Sequence, residues 1–173
     1  MNRGLAVAIL SLAFIFSLPA AQNAPPPASA EEPVYRQPFT LKFKFRDHEY
    51  TDPFDKTPYV ADNCIYVFAN EHFGVHVKVV DGEVSQLSYD KDPSKGDLDV
   101  ELTIKKSFMV MTILNRMDRT LYMDLFMRVN NKPALFEANK VEFQIKRPNV
   151  EFWPYPVEEI ALKTPSFRGQ QGH

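Results

Sequence analysis

From Phe39 onward, large apolar residues recur at every second position. Phe39, Leu41, Phe43 and Phe45 alternate with Thr40, Lys42, Lys44 and Arg46, which sets bulky side chains on one face and cations on the other, the mark of a half-buried strand. Ile65 to Ala69 is a short apolar run suited to a central strand, and Phe73, Val75, Val77 and Val79 resume the alternation. Asp81-Gly82 then separates two such runs. A two-residue type I′ turn needs positive φ at both positions, which Asp-Gly supplies, so Val84 to Tyr89 is predicted to pair back on Phe73 to Val80.

A polar stretch, Asp90 to Asp97, leads into Leu98, Val100, Leu102 and Ile104. Phe108 to Leu114 is apolar at both odd and even positions save Thr112, which predicts a strand covered on both faces. Leu121, Met123, Leu125, Met127 and Val129 face one way again, and Asn130 to Pro133 reads as a turn. Val141, Phe143 and Ile145 continue the pattern. Pro148, Pro154 and Pro156 are expected to interrupt pairing until Ile160 and Leu162 offer a last short strand. No amphipathic helix is predicted, beyond one turn that Ala134 to Lys140 could hold.

About 7–9 short strands, each with one apolar face, predict an all-β domain of two antiparallel sheets packed face to face, an immunoglobulin-like sandwich. A small up-and-down β-barrel with an internal cavity needs the same alternation and is the alternative. The strands are too few and uneven, and lack the aromatic girdles, of an outer-membrane barrel.

The N-terminus is of another kind. Arg3 gives a positive start, and Leu5 to Leu18 is apolar except for Ser11 and Ser17, too short to span a bilayer and suited to a secretory signal peptide over 1–21. Cleavage is expected after Ala20 or Ala21, with Ala30 as the more distant candidate. Residues 22–38, rich in Pro and Ala, read as a flexible tether, 39–167 as one domain and 168–173 as a disordered tail. The mature chain is then periplasmic or secreted and not membrane-spanning.

Charge and cysteine count narrow the function. The chain carries 20 basic and 22 acidic residues; loss of Arg3 with the leader leaves 19 against 22, a net −3, which gives nucleic acid no attraction. Cys64 is the only cysteine, so no internal disulfide is available. Together with the absence of any Asn-x-Ser/Thr sequon, that points to a bacterial periplasm.

Candidate chemistry is sparse. Asp90 to Glu101 places acids and a hydroxyl at positions one, three and five and a glutamate at twelve, partly matching a calcium loop, but Lys95 replaces the turn glycine and strands flank it. Met109, Met111, Met117, Met123 and Met127 raise a soft Cu(I) site, yet Met123 and Met127 share the face of core leucines. His72 and His76 stand about 13 Å apart on a strand, too far to chelate one ion. Cys64 lies beside Ile65 in apolar sequence, without a nucleophile elbow or another hydrolase motif. No metal, cofactor or catalytic residue is therefore assigned, and the chain reads as a non-enzyme.

Phe152-Trp153-Pro154-Tyr155-Pro156 is the most distinctive local chemistry, because two prolines hold the backbone extended beside rigid aromatic faces. Phe152, Trp153 and Tyr155 are the candidate binding residues. The expected function is a non-catalytic protein-interaction domain whose partner is an unidentified periplasmic or envelope protein. The alternative is small-ligand or carbohydrate binding through the aromatic loop. The competing structural role is a hydrophobic lid over one end of the sandwich.

Overall fold

The alternating residues close into two five-stranded antiparallel sheets packed face to face. The computed structural model describes residues 32–129, 132 and 134–167. The expected leader over 1–21, the tether as far as residue 31 and the tail from 168 lie outside the described residues. So do Asn130, Asn131 and Pro133 of the expected turn.

In chain order the strands are β1 (Tyr35–Arg36), β2 (Phe39–Phe45), β3 (His48–Phe54), β4 (Thr57–Pro58), β5 (Val60–Ala61), β6 (Cys64–Phe68) and β7 (Glu71–Val80). They continue as β8 (Glu83–Asp90), β9 (Leu98–Lys105), β10 (Phe108–Asn115), β11 (Leu121–Arg128), β12 (Phe136–Phe143), β13 (Pro148–Trp153) and β14 (Glu159–Phe167). One sheet runs β13-β10-β9-β7-β8 and the other β12-β11-β14-β6-β5. The protein is an all-β antiparallel sandwich. The 14 strands among the described residues exceed the expected number, because β1, β3, β4, β5 and β13 add to the nine apolar segments of the sequence; β1 with β4 and β2 with β3 form small sheets beside the main pair. No ladder among the described residues joins β8 to β5 or β12 to β13, so the sheets do not close into the alternative barrel.

Turn chemistry fixes the register. Asp81 and Gly82 take φ of 51° and 85° and put Val80 opposite Glu83, as the dipeptide predicts. Asp62 and Asn63 do the same between β5 and β6, with φ of 51° and 55°. The core between the sheets is built from the alternating positions: Leu98, Val100 and Leu102 of β9, Met109, Met111 and Ile113 of β10, and Leu121, Met123 and Leu125 of β11 are all buried. Asn115 is the one fully buried amide there. Its Nδ2 donates to the carbonyls of Arg119 and Phe143 at 2.8 and 2.9 Å, and its Oδ1 accepts the Met117 N–H at 3.0 Å, so its burial carries no unmet hydrogen bond.

The β2–β3 hairpin adds Leu41, Phe43, Phe45 and Phe54 to the same core. Phe54 meets Phe68 edge-on at 4.7 Å, and Arg46 donates to the Pro154 carbonyl at 2.9 Å. The hairpin thus lies over the end of the sandwich where Trp153 is buried.

Several expectations need correction. Ala134 to Lys140 holds no helical turn; Phe136–Phe143 is strand β12, paired with β11 through a register shift at Leu125/Phe126, and Ile145 lies beyond it, exposed. Pro148 does not interrupt pairing. It opens β13, an edge strand whose outer side needs no N–H, which is where proline is tolerated. The last strand is not short: β14 runs from Glu159 to Phe167 between β11 and β6. Phe108 to Leu114 is covered on one face only.

The tether also ends earlier than expected. Arg36 is buried, and its guanidinium pairs with both Glu71 carboxylate oxygens at 2.6 Å while donating to the carbonyls of Pro58 and Tyr66 at 2.6 and 2.8 Å. The Tyr59 and Phe68 rings flank it, with centroids 3.7 and 4.8 Å away. An extended chain with few large apolar residues is held here by one cation in a satisfied site.

Candidate interaction surface

The backbone of β13 separates the aromatic candidates, because successive strand residues point to opposite faces. Trp153 turns inward opposite Met109 and is 9% exposed. It closes the end of the core beneath the hairpin rather than offering its face to a ligand. Phe152 turns outward and is 65% exposed, the most exposed large apolar side chain among the described residues. Tyr155, past the strand, is 40% exposed and its hydroxyl lies 3.9 Å from the Met127 sulfur.

Phe152 does not stand alone. It pairs across the strands with Val110, and its ring meets Phe108 edge-on with centroids 6.0 Å apart. Thr112 lies opposite Val150 and Leu114 opposite Pro148 along the same outer face. Phe108 and Val150 are 43% and 53% exposed, while Val110 and Leu114 are half-buried. With an aromatic side chain offering roughly 200 Å² when bare, the three most exposed of these present on the order of 300 Å² of contiguous apolar surface, the size at which a patch on a monomer stops being incidental. Lys105, opposite Phe108 on β9, and Glu101, opposite Thr112, give it a charged margin.

Phe108 and Val150 are the residues that sequence reasoning missed. The signal lies in the two-faced apolarity of Phe108 to Leu114, which predicts cover on both sides where the structure has it on one. A strand apolar on both faces next to a sheet edge, with nothing packed on its outer face, gives the same sequence.

The other candidates have structural roles. In the 90–101 segment the carboxylates serve the loop itself: Asp90 Oδ1 accepts the Asp92 N–H at 2.8 Å, Asp92 Oδ1 accepts Ser94 N–H and Oγ–H, and Asp97 Oδ2 accepts the Val77 N–H. Asp99 joins His72 Nε2 and Arg116 at 2.7 Å each. The Asp92 N–H bond and His76 hold the Asp90 carboxyl below the usual carboxylate range, and the Ser94 hydroxyl and N–H do the same for Asp92. Among the described residues no group of three or more His, Cys, Asp or Glu side chains is placed to hold a metal ion.

His72 and His76 both lie on the outer face of β7, each against its own aspartate. Met109, Met111, Met123 and Met127 are buried in the core, with Met117 packed against it. Cys64 is buried too, and burial pushes its thiol up to about 11, so at neutral pH it is a protonated core residue and not a thiolate nucleophile. Burial likewise raises the Glu159 carboxyl, against the opposing pull of Arg128 at 3.0 Å. No helix among the described residues is long and apolar enough to cross a membrane. Comparison of the chain with protein-family models, with curated proteins and with solved structures gives no match.

Proposed function

We propose that this chain is an exported, non-catalytic protein-interaction domain of the bacterial periplasm, and that it meets its partner through the outer face of β10 and β13. The observation that carries this reading is the exposed Phe108–Phe152 pair with Val110 and Val150 beside it, on a sheet face that nothing in the chain covers among the described residues. Rigid aromatics at a rimmed apolar patch supply contact area at small entropic cost, the usual make-up of a binding hot spot. The leader pattern of residues 1–21 supports export, and the partner is an envelope or periplasmic protein with a complementary apolar face. Phe152 is the anchor, Tyr155 stands at the margin, and Trp153 acts beneath them by fixing the end of β13.

Variants of Phe152 and Trp153 test this assignment in one experiment. Phe152→Ser should abolish retention of an envelope partner by the purified mature domain while leaving its unfolding midpoint nearly unchanged. Trp153→Ala should cost about 3–5 kcal/mol of stability, as large-to-small changes of a buried aromatic do. Retention unaffected by Phe152→Ser, with the domain folded, contradicts the proposal.

A further inference from the structure

The opposite margin of the sandwich shares no residue with the β10–β13 face. There β8 ends one sheet and β5 ends the other, and a groove of about 360 Å³ runs between them. Residues 32–34 form one wall and residues 85–89 of β8 the other, with buried Val60 and Leu87 and the half-exposed Val34 supplying apolar surface. The Arg36–Glu71 pair anchors the first wall, since the Val34 carbonyl, two residues upstream, accepts the Tyr59 N–H at 3.0 Å.

Asn63 shows how the β8 edge is recognised. Its Oδ1 accepts the Leu87 N–H at 2.9 Å and its Nδ2 donates to the Ser85 carbonyl at 3.4 Å, so its amide sits where the peptide group of a neighbouring strand would sit. Ser85 and Leu87 therefore turn their backbone groups outward, and by the ladder's period of two Tyr89 does the same. Beyond Asn63 the Leu87 carbonyl and the Tyr89 N–H point away from β7, along the edge at which the sheet ends. They are the next rung of an unfinished ladder, and they face the groove.

We propose that this groove binds an extended segment of a partner protein that carries lysine or arginine, added to β8 as a short strand. Main-chain bonds to Leu87 and Tyr89 supply the register, in the manner of strand addition. Charge sets the preference: among the described residues Glu32 and Asp62 are the only ionisable carboxylates along the groove, no lysine or arginine lines it, and neither acid forms an ion pair. Residues 85–89 of β8 run about 13 Å along this wall, the length of about four strand residues at roughly 3.3 Å each.

The test is amide NMR on the mature full-length domain with three synthetic probes. These are the acetylated and amidated peptides Val-Lys-Val-Lys-Val and Val-Glu-Val-Glu-Val, and the lysine peptide with N-methylated backbone amides. The lysine peptide should shift the Tyr89 N–H resonance and slow its hydrogen exchange. N-methylation, which removes the peptide N–H that would donate to the Leu87 carbonyl, should weaken binding about fivefold. Glu32→Gln with Asp62→Asn, a pair in which asparagine keeps the positive φ of the turn, should weaken the lysine peptide about fivefold and leave Tyr89 as the site. Any one of four results overturns the proposal: no response at Tyr89 at about millimolar peptide, equal binding of the lysine and glutamate peptides, indifference to N-methylation, or shifts confined to the Phe108–Phe152 face. A Tyr89 N–H already protected in the free domain also overturns it, because the chain's own upstream residues would then fill the groove.

Discussion

Replacing Arg36 with methionine tests whether residues expected to belong to a tether are instead part of the fold. Methionine keeps the aliphatic length between Tyr59 and Phe68 but removes four hydrogen bonds: two at 2.6 Å to Glu71 and one each to the carbonyls of Pro58 and Tyr66. Glu71 keeps only the Phe68 N–H at 2.8 Å. Removing one partner of a buried ion pair costs about 3–5 kcal/mol, because the other charge stays desolvated. The Arg36 side chain is 5% exposed but that of Glu71 is 21% exposed, so water screens part of the loss. The lower end applies, about 3 kcal/mol. For a domain of this size that is a fall in Tm of roughly 10–15 °C. The assay is urea unfolding of the wild type, Arg36→Met, Glu71→Gln and the double variant. The midpoint should move at constant m, and the double variant should lose less than the two single losses combined, by about 1–2 kcal/mol. A loss below about 1 kcal/mol for Arg36→Met, or simple additivity, would refute the reasoning, since exposed pairs behave in that way.

Three further outcomes follow from close contacts and shifted acidities. Gly96→Ala should unfold the loop that carries the aspartates or cost more than about 3 kcal/mol by urea titration, because an added Cβ would lie 2.5 Å from the Val75 nitrogen and 2.6 Å from the Leu98 carbonyl oxygen, both backbone atoms that cannot swing aside. Cys64 should resist alkylation at pH 8 in the folded domain and react promptly in urea, as a buried thiol raised to about 11 requires; rapid labelling of folded protein would contradict its placement. Asp90 and Asp92 have folded acidities depressed below the ordinary 3.8, so their bonds stabilise the loop fully above that pH and are lost as the pH falls through the lower folded values. The Asp92 and Ser94 N–H resonances should therefore titrate with midpoints below 3.8, and Asp90→Asn with Asp92→Asn should abolish that step.

The fold class was legible because period-two alternation is a direct consequence of strand geometry, and in β9, β10 and β11 the alternating residues are those that fill the core. The Asp81-Gly82 turn was legible for the same local reason. What escaped was non-local. Strand order depends on which edges meet, which no single segment records. β12 was obscured by Lys140 and Asn139, polar because that edge is wet. Arg36 gave no signal, since its burial depends on Glu71, 35 residues away. The aromatic cluster at Phe152 was found from composition, but its division into an inward Trp153 and an outward Phe152 follows from the pairing of β13 with β10, and Phe108 joins it only through that register.

The central claim is that the outer face of β10 and β13 holds a protein partner in the periplasm, and the most direct measurement is photo-crosslinking in cells from that face. A photoreactive phenylalanine analogue at position 152 replaces a side chain that is already aromatic and 65% exposed, and the same analogue at Val80, 48% exposed at the tip of the β7–β8 hairpin, serves as control. The account predicts one discrete envelope-protein adduct from position 152, none from position 80, and loss of the adduct when Phe108 and Val150 are changed to serine. Adducts of equal yield from both positions, or none from position 152 in a folded and exported chain, would contradict it.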